Sequence, residues 1–122
     1  MAQETGARVV GIGGIFFRVA GPEALAAWYA KHLGITEGLW QQEAGATVFA
    51  PFKATSDYFP ADKPWMLNLR VKGLAPLCAR GAAEGIAVET RAAWDGDGAY
   101  GRFARIHDPE GTPIELWEPP AE

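Results

Sequence analysis

Between Val9 and Val19 the chain reads Val-Val-Gly-Ile-Gly-Gly-Ile-Phe-Phe-Arg-Val, a β-branched and aromatic run that predicts a strand. Gly21-Pro22-Glu23 then marks a helix start, because Pro suits the first helical position and Glu suits the positive N-terminal end. Leu25, Trp28, Tyr29, His32 and Leu33 recur at helical spacing, and Gly34 supplies a natural stop. Two short strands are expected over 38–42 and 46–52, with Glu43-Ala44-Gly45 as their turn, followed by a loop or a stunted strand over 53–63. Strand character returns over 65–71. A second helix is expected from Leu74 to about Gly85, with Leu74, Leu77, Cys78 and Gly81 on one side. A strand over 87–91 and a turn-rich loop from Trp94 to Tyr100 lead into a hairpin.

That hairpin is the most informative stretch. Asp108-Pro109-Glu110-Gly111 fits a type I turn: Asp accepts at the first position, Pro presets φ at the second and Gly closes the fourth. Beyond it Ile114 and Leu116 point one way, while Pro113, Glu115 and Trp117 point the other. Ile114 and Leu116 must bury, so Glu115 takes the opposite face. Pro113 and Trp117 gain nothing from open water beside it, so a sheltered face is expected for Glu115. A sheltered carboxylate needs a ligand, an ion or an arginine to offset its desolvation.

The pattern also repeats. Phe16-Phe17-Arg18-Val19 and a helix ending in Leu33-Gly34-Ile35 match Asn68-Leu69-Arg70-Val71 and a helix ending in Glu84-Gly85-Ile86, at nearly the same spacing. Each half reads as strand, helix and antiparallel strands. Neither half can close its own sheet, so two such units are expected to pair. The expectation is one domain over 1–122, with the repeat at about 9–62 and 63–119.

Composition narrows the function classes. With 122 residues, 48% of them apolar, there is material for one core. Five Trp and six Phe are available to fill it or to line a pocket. A formal charge of −4 argues against nucleic acid and acidic membrane surfaces as partners. No apolar run approaches a membrane span, and residues 1–8 read as polar and loose rather than as a signal peptide, so a cytoplasmic location is expected. A single cysteine, Cys78, forms no internal disulfide and reads as a small buried apolar residue. Gly11-Ile12-Gly13-Gly14 lacks the third glycine of a dinucleotide fingerprint and is followed by strand formers, which excludes a nucleotide loop there. Asp95 and Asp97 lack the further acidic ligands of a calcium loop. His32 and His107 read as structural residues.

The repeated unit, together with the ending Ile106-His-Asp-Pro-Glu-Gly-Thr-Pro-Ile-Glu-Leu-Trp-Glu118, resembles the vicinal oxygen chelate superfamily. That superfamily includes glyoxalase I, bleomycin-resistance proteins, extradiol dioxygenases and fosfomycin-resistance enzymes. The resemblance implies an α+β fold: two paired βαβββ units form a cup-shaped mixed sheet, with the helices outside. In the metal-dependent members a His or Gln from a first strand and a Glu from a last strand hold a divalent ion. Here Glu115 matches the last-strand carboxylate, whereas Gly14 and Met66 stand where a His usually stands, and Asp57 or Tyr58 lies near the remaining position. No metal ligand set is therefore expected, and the cofactor is left open.

With Glu115 in the cup, strand alternation and the family register supply its surroundings. Arg18 and Arg70 occupy equivalent places in the two units and could grip an anion, and Asn68 shares their face. Trp40, Tyr58, Tyr100 and Phe103 are candidates for an apolar wall. The resemblance implies a small-molecule ligand, a homodimer, and one of two activities. In the first, a lyase, isomerase or dioxygenase-type enzyme uses Glu115 as base or residual metal ligand. In the second, a non-catalytic protein sequesters a small aromatic or cationic compound.

Overall fold

The hairpin turn forms as its residues dictate. A computed structural model describes residues 6–36 and 38–121; of the N-terminal stretch read as loose, residues 1–5 lie outside that range. Gly111 N–H bonds the Asp108 carbonyl at 2.9 Å, with Gly111 at φ 85°, where a side chain would be strained. Asp108 fixes the turn from within: its Oδ1 accepts the N–H groups of Glu110 (2.8 Å) and Thr112 (3.0 Å). Strands β2 (Arg102–His107) and β3 (Pro113–Glu118) run antiparallel from it, with Arg105 opposite Glu115 and Ile106 opposite Ile114. Strand β1 (Leu67–Arg70) lies parallel to β3 on the other side and aligns Asn68 with Glu115. The sheet order is β1-β3-β2.

Alternation gives this sheet two unlike faces. Ala104, Ile106, Ile114 and Leu116 are buried on one face with Leu25, Tyr29 and Leu74, and they form a single core cluster. Leu25 and Tyr29 come from helix α1 (Pro22–Leu33), and Leu74 opens helix α2 (Leu74–Ala83). Helix α1 starts at proline and ends at Gly34, whose φ of 71° turns its N–H back to the Ala30 carbonyl.

Neither helix is capped by its own sequence; Gly21 and Gly73 stand at the two N-caps and offer no side chain. The hairpin supplies the missing acceptors. Glu110 accepts from Ala20 N–H (3.2 Å) and Gly21 N–H (3.0 Å). Glu118 accepts from Gly73 N–H (3.4 Å) and Leu74 N–H (3.2 Å). Each carboxylate also meets the positive end of a helix dipole. The arrangement follows the sequence repeat, since Gly21 and Gly73 follow Val19 and Val71, and both valines pack against the core cluster.

The structure is thus a mixed α+β arrangement of a three-stranded sheet with helices, and it departs from the expected strand count. Among the described residues, 9–19, 38–42 and 46–52 form no strand pairing, although their composition favours it. A strand exists through its neighbour, and these segments find none among the described residues. The strand expected over 87–91 is reduced to one bridge, Glu89 with Arg105. The loop expected from Trp94 begins instead inside a one-turn helix, α3 (Ala92–Asp95). Asp95 and Asp97 serve backbone there: Asp95 Oδ1 accepts from Phe103 N–H (3.0 Å) and Asp97 Oδ1 from Ala99 N–H (2.9 Å).

Tyr29 ties α1 to the turn, its hydroxyl donating to Asp108 Oδ2 at 2.7 Å. Burial, then the bond to Asp108, pushes the Tyr29 hydroxyl far above its ordinary value, so it stays a donor. Asp108 is buried at 4% exposure, so losing this donor leaves Oδ2 poorly compensated. Changing Tyr29 to Phe should therefore cost about 1–3 kcal/mol of stability, measured as a lower urea midpoint at unchanged slope.

Candidate functional site

The second face of the sheet carries the polar residues. Asn68, Glu115 and Arg105 stand in one row across β1, β3 and β2, because the two registers align them. Glu115 is 8% exposed, and both its oxygens are occupied by neutral donors. Asn68 Nδ2 donates to Oε1 at 2.7 Å, and the Tyr58 hydroxyl donates to Oε2. Burial, followed by the hydrogen bond to Glu115 and its charge, pushes the Tyr58 hydroxyl up to about 12, while Arg105 opposes the shift.

Arg105 is only 5% exposed. Its guanidinium lies against two rings that meet edge-on, with Cζ 5.2 Å from the centroid of Tyr58 and 5.2 Å from that of Trp94. Its Nη2 donates to the Tyr58 carbonyl at 3.1 Å, and its Nε is buried without a partner. The aromatic cover continues outward: Phe52 stacks on Tyr58 at 5.7 Å and meets Phe59 edge-on at 5.5 Å. An open groove runs along residues 50–57, with Phe52 in its wall.

The structure thus brings Glu115, Asn68 and Tyr58 together and disperses the other sequence candidates. Arg70 shares their face but holds backbone, donating to the carbonyls of Glu43 (2.6 Å) and Ala46 (2.5 Å). Gly45 permits this approach, since a Cβ there would come within 2.7 Å of the guanidinium. Arg18, Trp40 and Tyr100 are exposed. Tyr100 lends its carbonyl to Trp117 Nε1 (2.7 Å), and Phe103 stacks on Trp117 with rings 6.5 Å apart. The reason is common to Arg18 and Trp40: both lie in segments that no sheet neighbour positions.

Arg105 and Trp94 were passed over in the sequence, although one signal was available. Counting outward from the Asp108–Gly111 turn places Arg105 directly opposite Glu115. Trp94 gives no comparable signal, because its placement depends on the one-turn helix α3.

Among the described residues, no three His, Cys, Asp or Glu side chains converge on a point that could hold a metal ion. The residues around Glu115 do not fit the metal that the family resemblance implies: Gly14 and Met66 offer no nitrogen or oxygen side-chain donor, and both Glu115 oxygens are engaged. Burial pushes the Cys78 thiol up, which keeps it a poor nucleophile. No helix among the described residues is long and apolar enough to cross a membrane.

No family model matches this chain, and no curated protein matches it. Among solved structures it is similar to TnmS3, an antibiotic binding protein from Streptomyces sp. CB03234. The two share 25% identity at a TM-score of 0.59, over 92% of this chain and 98% of that one.

The Tyr58 shift has a definite sign. Its hydroxyl pKa is raised on folding, so its contribution to stability is present below about pH 10 and is lost as pH rises through about 12. Denaturant midpoints at pH 9 and pH 11.5 should show the wild-type protein's advantage over Tyr58→Phe shrinking at the higher pH. A constant difference would place the Tyr58 hydroxyl away from Glu115.

Proposed function

We propose that the protein is a non-catalytic small-molecule binder of the vicinal oxygen chelate type. It takes a flat aromatic compound in the open groove along residues 50–57, against Phe52 and beside the Tyr58 and Trp94 rings that cover the Asn68–Glu115–Arg105 row. The observation that carries this reading is the polar row on the face of the sheet opposite α1 and α2, roofed by aromatic rings beside an open groove. Few polar groups set among apolar walls are the usual make-up of a ligand site. The similarity to an antibiotic binding protein supports binding over turnover. So does Glu115 itself, since a carboxylate with both oxygens engaged is poorly placed to take a proton.

Titration of flat aromatic compounds, followed by tryptophan fluorescence and calorimetry, tests the reading. Saturable binding is expected for bicyclic and tricyclic aromatics, with aliphatic compounds of equal size binding at least about tenfold more weakly. Trp94→Ala should weaken the aromatic ligands by about tenfold, and mass spectrometry should recover them unchanged. Equal binding of aliphatic compounds, or the appearance of a product, would overturn it.

The same reading includes two paired βαβββ units, at about 9–62 and 63–119, completed by a second copy of the chain. Support comes from the matching caps at Gly21 and Gly73 and from exposed surface. Val9, Phe16 and Leu39 are each more than 90% exposed, and Phe49 is 85% exposed. The chain exposes 9247 Å² in all, whereas a folded monomer of its 13.1 kDa exposes roughly 6,400 Å². The excess, about 2,900 Å² for one chain and so about 5,700 Å² for two, reaches the upper end of the total area that permanent homodimers bury, about 2,000–5,000 Å² or more. Pairing of 9–19 and 46–52 with the partner's strands would satisfy their backbone groups and cover their side chains. Sedimentation equilibrium at micromolar concentration should give twice the 13.1 kDa chain mass. Phe16→Glu should shift it toward monomer, whereas a wild-type monomer would refute the pairing.

A further inference from the structure

From the surroundings of Arg105 we infer that the ligand carries an anionic oxygen, a carboxylate or phenolate on its aromatic ring, and that Arg105 receives it. This inference rests on the aromatic-binding reading above. It starts from an imbalance between two neighbouring charges. Glu115 and Arg105 stand directly opposite each other on β3 and β2, yet no ion pair joins them. The carboxylate has turned toward β1, where Asn68 and Tyr58 satisfy both its oxygens. The guanidinium has turned into the aromatic cover. There, among the described residues, it makes one hydrogen bond, to the Tyr58 carbonyl, and leaves Nε buried and unpaired.

A guanidinium carries five N–H donors in a fixed fork. Contact with two rings offsets part of the desolvation of a buried cation, but rings offer no acceptor for the remaining N–H groups. The partner that satisfies both the charge and the fork is a planar anion, which a carboxylate provides with two oxygens and a phenolate with one. The Tyr58 and Trp94 centroids each lie 5.2 Å from its Cζ, so a ring stacked against either lies beside the guanidinium. An aromatic acid would therefore place its ring against Tyr58 or Trp94 and its oxygen at the guanidinium. Arg70 cannot serve in its place, because its fork is already closed on Glu43 and Ala46.

The test compares 2-naphthoate with 2-naphthamide, which share a shape and differ in charge, by calorimetry at pH 7.5. Wild-type protein should bind the acid at least about tenfold more tightly than the amide. Arg105→Gln should abolish that preference, so that acid and amide bind that variant with equal affinity. Arg105→Lys, which retains the charge without the fork, should keep only part of it. The wild-type comparison alone decides the matter should either variant fold poorly. Equal affinity for acid and amide overturns this inference and leaves aromatic binding standing, whereas failure of both to bind overturns the two together.

Discussion

A single buried carboxylate, that of Asp108, holds the two halves of this structure in relation to each other. One of its oxygens shapes the hairpin turn through two backbone N–H groups, and the other receives the hydroxyl of Tyr29 from α1. The turn in turn presents Glu110 to the start of α1, while β3 presents Glu118 to the start of α2. Helices that begin at Gly21 and Gly73 have no caps of their own, so they are oriented by the sheet rather than merely packed upon it. The core cluster then follows, since Leu25, Tyr29 and Leu74 can reach Ile114 and Leu116 only once those helix ends are set.

The opposite face of the sheet handles charge in another way. Three adjacent strands contribute an amide, a carboxylate and a guanidinium at one level, and the chain could have let the last two neutralise each other. Instead, neutral donors satisfy the acid and aromatic rings hold the base. Separating them costs some Coulombic energy but keeps a carboxylate and a guanidinium distinct at one place. The loop bearing Tyr58 owes its position to both, because its hydroxyl meets Glu115 and its carbonyl meets Arg105.

The sequence was legible wherever a segment's pattern and its partner both lie in local chemistry. The Asp108–Gly111 turn, the burial of Ile114 and Leu116 and both main helices follow from turn residues, parity and helical spacing. The burial of Glu115 follows from the same parity. Residues 9–19 and 46–52 show the limit of such reasoning: Val48 and Phe49 have the composition of strand residues, but composition does not supply a neighbour. Arg18 and Arg70 drew attention as repeat-related residues, whereas Arg105, with no repeat partner, holds the position beside Glu115. Repetition identifies equivalent backbone positions, and hairpin register identifies which side chains meet.

The long reach of Asp108 and Glu110 bears on how the chain acquires its shape during synthesis. Tyr29 must await a residue 79 positions downstream, and Gly21 one 89 positions downstream, before either bond can form. Helix α2 waits a shorter interval, 44 positions from Leu74 to Glu118. As residues leave the ribosome in order, α1 is translated early yet has nothing to dock against until the hairpin emerges. Contacts of such separation slow folding, because loop closure precedes the gain from packing. Throughout that wait Leu25 and Tyr29 lack the core partners that bury them in the folded chain, so the N-terminal half carries its apolar surface in water the longest.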